Sequence, residues 1–325
     1  MEVRKLTKTF KVPVRAEGFA ASLKSLVQRK YQEVEAVREI SFDIEAGEVV
    51  GFIGPNGAGK TTSLKILSGL LHPSSGDVRV LGFKPWEREP AYLSQISMVL
   101  GNKSQLLWDI PPMDTFRVLA EIYRVPEKEF NLILDELIDL LDMKALLTKP
   151  VRNMSLGERM KCELVAGLLY RPRVMFLDEP TLGLDVSMQG RLRRFLTDYN
   201  QRSGVTMMLT SHYMADVTAL CPRVILIHRG ELLYDGELAG LASKLAPFKL
   251  VRLALEVDSP KPELPPEAEI VEQENGRLTL RVARAEAPKL TAHLLNTLPV
   301  ADLSVEDPPI EAVIDQIYQD GEVSA

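Results

Sequence analysis

The sequence predicts an α/β fold with a largely parallel sheet over residues 1–236, followed by a small α+β domain over residues 237–325. Three observations predict it. Short runs such as "EVVGFIG", "RVMFLDEP" and "VTMMLTSH" are nearly all apolar, the pattern of strands buried on both faces. Stretches at helical spacing, such as "KTTSLKILSGLL" and "FNLILDELIDLLDMKALL", lie between them. Beyond residue 247 the pattern changes to two-faced strands, a proline-rich link "DSPKPELPPEAE" and short helices.

Taken in order, "MEVRKLTKTF" reads as a first strand. "EAVREISFDIEAGEVVGFIG" reads as two more, broken at Ala46-Gly47. The "FNLILDELIDLL" segment is an amphipathic helix turned to the core. "RVILIHRGELLYDG" predicts a hairpin with its turn at Arg229-Gly230. In the second domain, "FKLVRLALEV" is a strand and "EIVEQENGRLTLRV" a hairpin around Asn275-Gly276. A helix (286–297), a strand (299–304) and a last helix (309–319) complete a ferredoxin-like pattern. No catalytic constellation falls there, so this domain reads as a packing or dimer-stabilising module.

Bulk properties narrow the class. The chain has 325 residues, 46% of them apolar and 26% charged, ordinary for a globular protein. A net charge of −6 disfavours the basic kind of nucleic-acid binder. From Leu238 onward 8 basic residues face 15 acidic ones, so the acidity is concentrated in the second domain. Cys162 and Cys221 stand far apart with no CxxC partner, which suggests a reducing compartment and no structural metal. No apolar run approaches the ~18 residues that span a bilayer. No signal peptide is visible. The expected location is the cytoplasm or the cytoplasmic face of a membrane.

The chemistry begins at "GPNGAGKT", which fits G-x-x-x-x-G-K-[ST]. Gly54, Pro55, Asn56, Gly57, Ala58 and Gly59 form a loop whose backbone N–H groups can wrap phosphates. Thr61 and Thr62 open a helix whose positive end faces the same anion. Lys60 can reach the β- and γ-phosphates, and Thr61 can ligate Mg²⁺. The loop lies where the mechanism needs it, between a buried strand and a helix. Nucleotide binding follows. In "VMFLDEP", Asp178 ends a hydrophobic strand and can hold Mg²⁺. Glu179, the next residue, can orient and deprotonate an attacking water. "NMSLGERMKCELVAGLLY" opens another helix. Ser155 and Glu158 form a capping box there.

The order of these motifs resembles the ABC ATPase family over residues 1–236. It runs P-loop, "SLGER" 95 residues later, "VMFLDEP", "TLGLD" and "LTSH". "SLGER" is similar to the signature written LSGGQ, with Glu158 in the glutamine position. Gly183-Leu184-Asp185 resembles the D-loop, and His212 the switch histidine that contacts the γ-phosphate. Phe10 stands where the family stacks an aromatic ring on adenine, with Tyr31 as an alternative. The resemblance implies an ATPase with ATP and Mg²⁺ bound to a mixed sheet and a helical subdomain. It also implies a head-to-tail homodimer, in which Ser155, Gly157 and Glu158 of one chain close on ATP held by the other.

Two departures stand out. The family's Q-loop carries a glutamine after a strand. Here "QISMVLG" leads to Gly101-Asn102, so Asn102, or else Gln105, fills the role of contacting nucleotide and Mg²⁺. An insertion at 11–30 holds Lys11, Arg15, Lys24, Arg29 and Lys30 against one acid, Glu17, with Phe19, Leu23, Leu26 and Val27 at helical spacing. It reads either as a solvated surface insertion or as a basic amphipathic helix near lipid headgroups.

Within the family, a single cassette with a short gap from P-loop to signature argues against repair-type and translation-type ATPases. Glu179 argues against a non-hydrolysing regulator. What remains is the ATP-binding subunit of a membrane transporter whose permease is another chain. "LVAGLLYRPRVMFLDEPTLGLD" and the C-terminal appendage look most like subunits of ABC-2-type exporters. A polysaccharide or teichoic-acid exporter subunit is the alternative. In "GNKSQLLWDIPP" two prolines oppose strand and helix alike, so Leu107 and Trp108 fall on a loop. Either they dock a permease helix, or Trp108 caps the helical subdomain.

Overall fold

The computed structural model describes residues 1–13, 31–101, 104–211, 213–246, 248–255, 264–266, 268–274 and 277–314. Two compact units divide at Asp235 and Gly236.

In the first unit, β1 (Glu2–Pro13), β2 (Tyr31–Asp43), β3 (Val49–Ile53), α1 (Lys60–Leu67), β4 (Ser75–Arg79), the single turn α2 (Pro90–Leu93) and β5 (Ile96–Leu100) follow in order. Then come α3 (Pro112–Ile122), α4 (Glu127–Leu141), α5 (Leu156–Leu168), β6 (Val174–Asp178), α6 (Val186–Ser203), β7 (Thr206–Thr210), α7 (Met214–Leu220), β8 (Arg223–His228) and β9 (Glu231–Glu237). Strands β2-β1-β4 form an antiparallel sheet, and a second sheet runs β5-β6-β7-β3-β8-β9. The pairs β5/β6, β6/β7, β7/β3 and β3/β8 are parallel. The fold is therefore α/β with a mixed strand complement, as expected.

The two sheets share a core. Val3, Leu6 and Ile40 from the antiparallel sheet meet Phe52, Phe176 and Ile225 from the parallel one, with Leu64 and Ile66 of α1 between them. Burial of each such side chain contributes ~1.5–3 kcal/mol. The helix α4 buries Phe130, Ile133, Leu134, Leu137, Ile138 and Leu141, one stripe at helical spacing, and leaves Leu132 outside. Pro112 does not interrupt α3 but starts it, at a position whose N–H has no helical partner. Arg229 and Gly230 both adopt positive φ, 48° and 84°, as a tight two-residue hairpin turn requires. Cys162 and Cys221 are free and buried, and burial pushes both thiols up to about 12.

The expected insertion begins later than residue 11. Lys11, Val12 and Pro13 continue β1 and pair with Glu33, Gln32 and Tyr31, because the ladder persists to the end of both strands. Residues 14–30, with the remaining basic and apolar positions of the expected helix, lie outside the described residues.

The second unit holds α8 (Leu238–Leu245), β10 (Phe248–Leu255), β11 (Ala268–Glu274), β12 (Arg277–Ala283), α9 (Ala287–Thr297) and β13 (Val300–Glu306). Its sheet is antiparallel in the order β11-β12-β10-β13, the strand order of a ferredoxin-like fold. Val251, Leu253, Leu278, Leu280 and Val282 pack against Ala287, Leu290 and Leu294 of α9. Residues 310–314 are helical, and the rest of the expected last helix lies outside the described residues, as does the turn at Asn275-Gly276.

Candidate functional site

The loop from Gly54 to Gly59 leaves the C-terminal end of β3, where strand order places ligands in parallel sheets. Its shape depends on glycine. Gly59 has φ 107° and lies against the Ala36 carbonyl with no room for a Cβ, and Gly57 has φ 83°. No side chain caps α1, so its first N–H groups point into the loop unclaimed by a capping residue. Lys60 is buried, and its ammonium donates to the carbonyls of Gly54 at 2.6 Å and Pro55 at 3.1 Å. Burial draws its pKa below the usual lysine value, while the carboxylates of Glu179 and Asp178 act in the opposite direction.

Asp178 ends β6 and is buried. It accepts from the Thr61 hydroxyl at 3.0 Å and 3.1 Å and from the Thr210 hydroxyl at 2.7 Å. The strand register explains the arrangement: Asp178 is flanked by Leu100 on β5 and Thr210 on β7. Glu179 has φ 54°, a left-handed backbone uncommon for a non-glycine residue. Its N–H donates to the Thr210 carbonyl at 3.1 Å and hydroxyl at 3.2 Å, which holds the turn. A strained residue beside a buried metal-type carboxylate is a common feature of reactive sites. Thr210 carries this geometry, and the sequence reading missed it.

The capping box on α5 is present in both directions. Ser155 Oγ accepts from Glu158 N at 3.2 Å, and Glu158 Oε2 accepts from Ser155 N at 2.7 Å. Lys149 donates to Glu158 at 2.8 Å, and this bond first of all holds the Glu158 carboxyl below the usual glutamate range. The glutamate in the expected glutamine position is thereby committed to its own helix. The Leu156 side chain packs against Gly183, which has φ 73°, and so places the signature segment beside the "TLGLD" loop. That loop is braced by a second network. Asp216, wholly buried, accepts from Thr181, from Ser211 at 2.9 Å and from Arg193 at 2.6 Å. His212 follows Ser211 but lies outside the described residues, as does Asn102.

Of the two Q-loop candidates, Gln105 is the one that lies among the described residues. Its side-chain amide donates to the Glu163 carbonyl at 3.2 Å, because α5 presents an acceptor there. Of the two aromatic candidates, Phe10 pairs with Val34, two residues from the Ala36 that touches Gly59. Tyr31 is five residues from Ala36, ~16 Å along an extended strand. Phe10 is half-buried with Lys8 over its ring at 5.1 Å, whereas Tyr31 is exposed. Leu107 and Trp108 are 50% and 52% exposed, while Leu106 is buried. The Arg159 guanidinium sits 5.6 Å from the Trp108 ring centre.

Both units of the chain resemble known protein families. The ABC transporter family matches residues 37–182, and the family described as EvrA-like ABC transporter, C-terminal domain, matches residues 247–306. The ABC transporter ATP-binding protein NatA of Bacillus subtilis (strain 168) is 34% identical over 214 residues, covering 66% of this chain and 87% of NatA. The linearmycin resistance ATP-binding protein LnrL of the same organism is 27% identical over 229 residues, 70% of this chain and 73% of LnrL. A dimeric, post-hydrolysis structure of the ATP-binding cassette MJ0796 bound to ADP and Pi shares the fold with TM-score 0.60. It is 20% identical and covers 73% of this chain and 98% of that one. This chain belongs to the ABC transporter family: it is an ATP-binding subunit and an ATPase.

Proposed function

We propose that this chain powers a membrane exporter of the ABC-2 type as a homodimer bound to a separate permease at the cytoplasmic face of the membrane. Each ATP is held by Gly54–Thr62 of one chain and closed upon by Ser155 and Gly157 of the other. Ser155 Oγ accepts from Glu158 N, so its own proton remains for a γ-phosphate oxygen. Glu179 takes the proton of the attacking water, and Lys60 and the α1 N-terminus stabilise charge on the phosphates. His212 contacts the γ-phosphate, Asn102 the nucleotide and metal, and Phe10 the adenine. The chemistry of the donor set suits Mg²⁺, since the Thr61 hydroxyl and Asp178 carboxylate are hard oxygen donors already in contact. Those two residues, with Asn102, would hold it, and it would polarise the phosphate oxygens. Residues 237–325 form an accessory domain.

The observation that carries the permease partner is the Leu107–Trp108 pair. Two large apolar side chains stand half in solvent on the segment after β5, whose first residue, Gly101, donates to the backbone carbonyl of Asp178. No helix of the described residues is long and apolar enough to cross a membrane. Export is supported by LnrL, named for linearmycin resistance. The antiparallel sheet with α9 in the second unit disfavours the carbohydrate-exporter alternative, for which an all-β sandwich is expected.

Trp108→Ala tests the reading. Truncating an interface anchor often costs ~2 kcal/mol or more. The isolated variant should keep its melting temperature and basal ATPase. Expressed with the membrane protein encoded beside it, it should fail to co-purify in detergent. Normal co-purification with a large fall in melting temperature would make Trp108 a core residue and remove the docking surface.

A further inference from the structure

We propose that Glu163 is a positioning residue for ATP hydrolysis: its carboxylate pins the loop after β5 to the helix that carries Ser155 and Gly157. The inference rests on the reading of Ser155–Gly157 as the clamp of a shared ATP site.

Glu163 is only 4% exposed, on a helix face where an apolar residue would ordinarily stand. A buried carboxylate is costly unless donors surround it. Among the described residues, the groups bonded to its carboxylate are donors from one loop. Ser104 donates its hydroxyl, and Gln105 N–H donates to both oxygens at 3.2 Å. The Gln105 side chain adds a bond to the Glu163 carbonyl at 3.2 Å. Burial raises the Glu163 pKa, and the bonds from Ser104, Gln105 and Leu106 oppose that rise, as expected of a carboxylate held by donors.

The same loop is fixed at its other end. Gly101 N–H donates to the Asp178 carbonyl at 2.8 Å, and the Glu179 carbonyl leaves no room for a Cβ at Gly101. The two clamps therefore tie the backbone at the end of β6, which carries Asp178 and Glu179, and α5 to the same loop. On that helix Ser155 lies eight residues before Glu163, ~12 Å along a rigid axis. A displacement at Leu107–Trp108 reaches α5 through Glu163 as well as through Arg159, whose guanidinium lies beside the Trp108 ring. The residue type follows from the partners. Glutamine has the same shape, but its NH₂ would face donors and lose at least one bond.

The test uses a Trp86→Phe background, in which Trp108 is the sole tryptophan and reports the loop. Glu163→Gln should raise acrylamide quenching of Trp108. It should lower kcat about tenfold, the effect of one lost charge-assisted hydrogen bond, with KM for ATP within about twofold. Ser104→Ala alone should show a smaller fall in kcat, and should add nothing on top of Glu163→Gln. Unchanged kcat and quenching in Glu163→Gln, or multiplicative effects of the two substitutions, would overturn the proposal. A parallel Ser155→Arg arm separates the two readings. Turnover lost there but intact in Glu163→Gln sinks the Glu163 proposal alone. Turnover retained in Ser155→Arg sinks the shared-site reading, and the route from Glu163 to the nucleotide with it.

Discussion

Glu179→Gln should lower ATP turnover by ~10²–10⁴, the usual contribution of a positioned general base. The substitution keeps size and shape and removes only basicity. The backbone that aims the side chain does not depend on the carboxylate, because the Thr210 carbonyl and hydroxyl hold the Glu179 N–H. Lys60, Thr61 and the glycine loop are untouched, so ATP affinity should persist. ATP bound but not cleaved should also trap the dimer. Steady-state phosphate release, nucleotide titration and light scattering with and without ATP check the three parts. Turnover close to the parent's would remove Glu179 from the mechanism.

Ser155→Arg should abolish hydrolysis while leaving nucleotide binding to its own chain. Two effects combine. The capping bond from Glu158 N is lost, at ~0.5–2 kcal/mol of helix stability. A long cation then occupies the end of α5 that would close on the opposite chain's nucleotide. Lys60→Ala protein fails for the reciprocal reason, since its own phosphate loop is broken. Mixed together, the two inactive proteins should regain activity, because a mixed dimer contains one composite site with both Lys60 and Ser155 intact. Specific activity of the unmodified chain should also rise with protein concentration. A concentration-independent rate, or no recovery on mixing, would defeat the shared site.

Much of this architecture was legible in the chain. "GPNGAGKT" needs only neighbouring residues to take its shape, as Gly57 and Gly59 set the backbone themselves. The Ser155–Glu158 box closes within three residues, and the Arg229–Gly230 turn within two. The apolar runs of β3, β6 and β7 announce a buried sheet without saying in what order its strands lie.

The tertiary structure decided the rest. Thr210 reaches Asp178 across 32 residues because β7 inserts between β6 and β3. Gln105 is a Q-loop candidate in the sequence, yet it is spent on Glu163, 58 residues away. Asp216 reads as an ordinary helix acid until Thr181, Ser211 and Arg193 converge on it. By itself the sequence determined the elements whose hydrogen bonds and backbone angles are local, and through them the family and its ATPase chemistry. Only the fold decided which distant polar groups share a buried site. There the cost of an unpaired charge or hydroxyl is met by partners that strand order, not chain proximity, brings within reach.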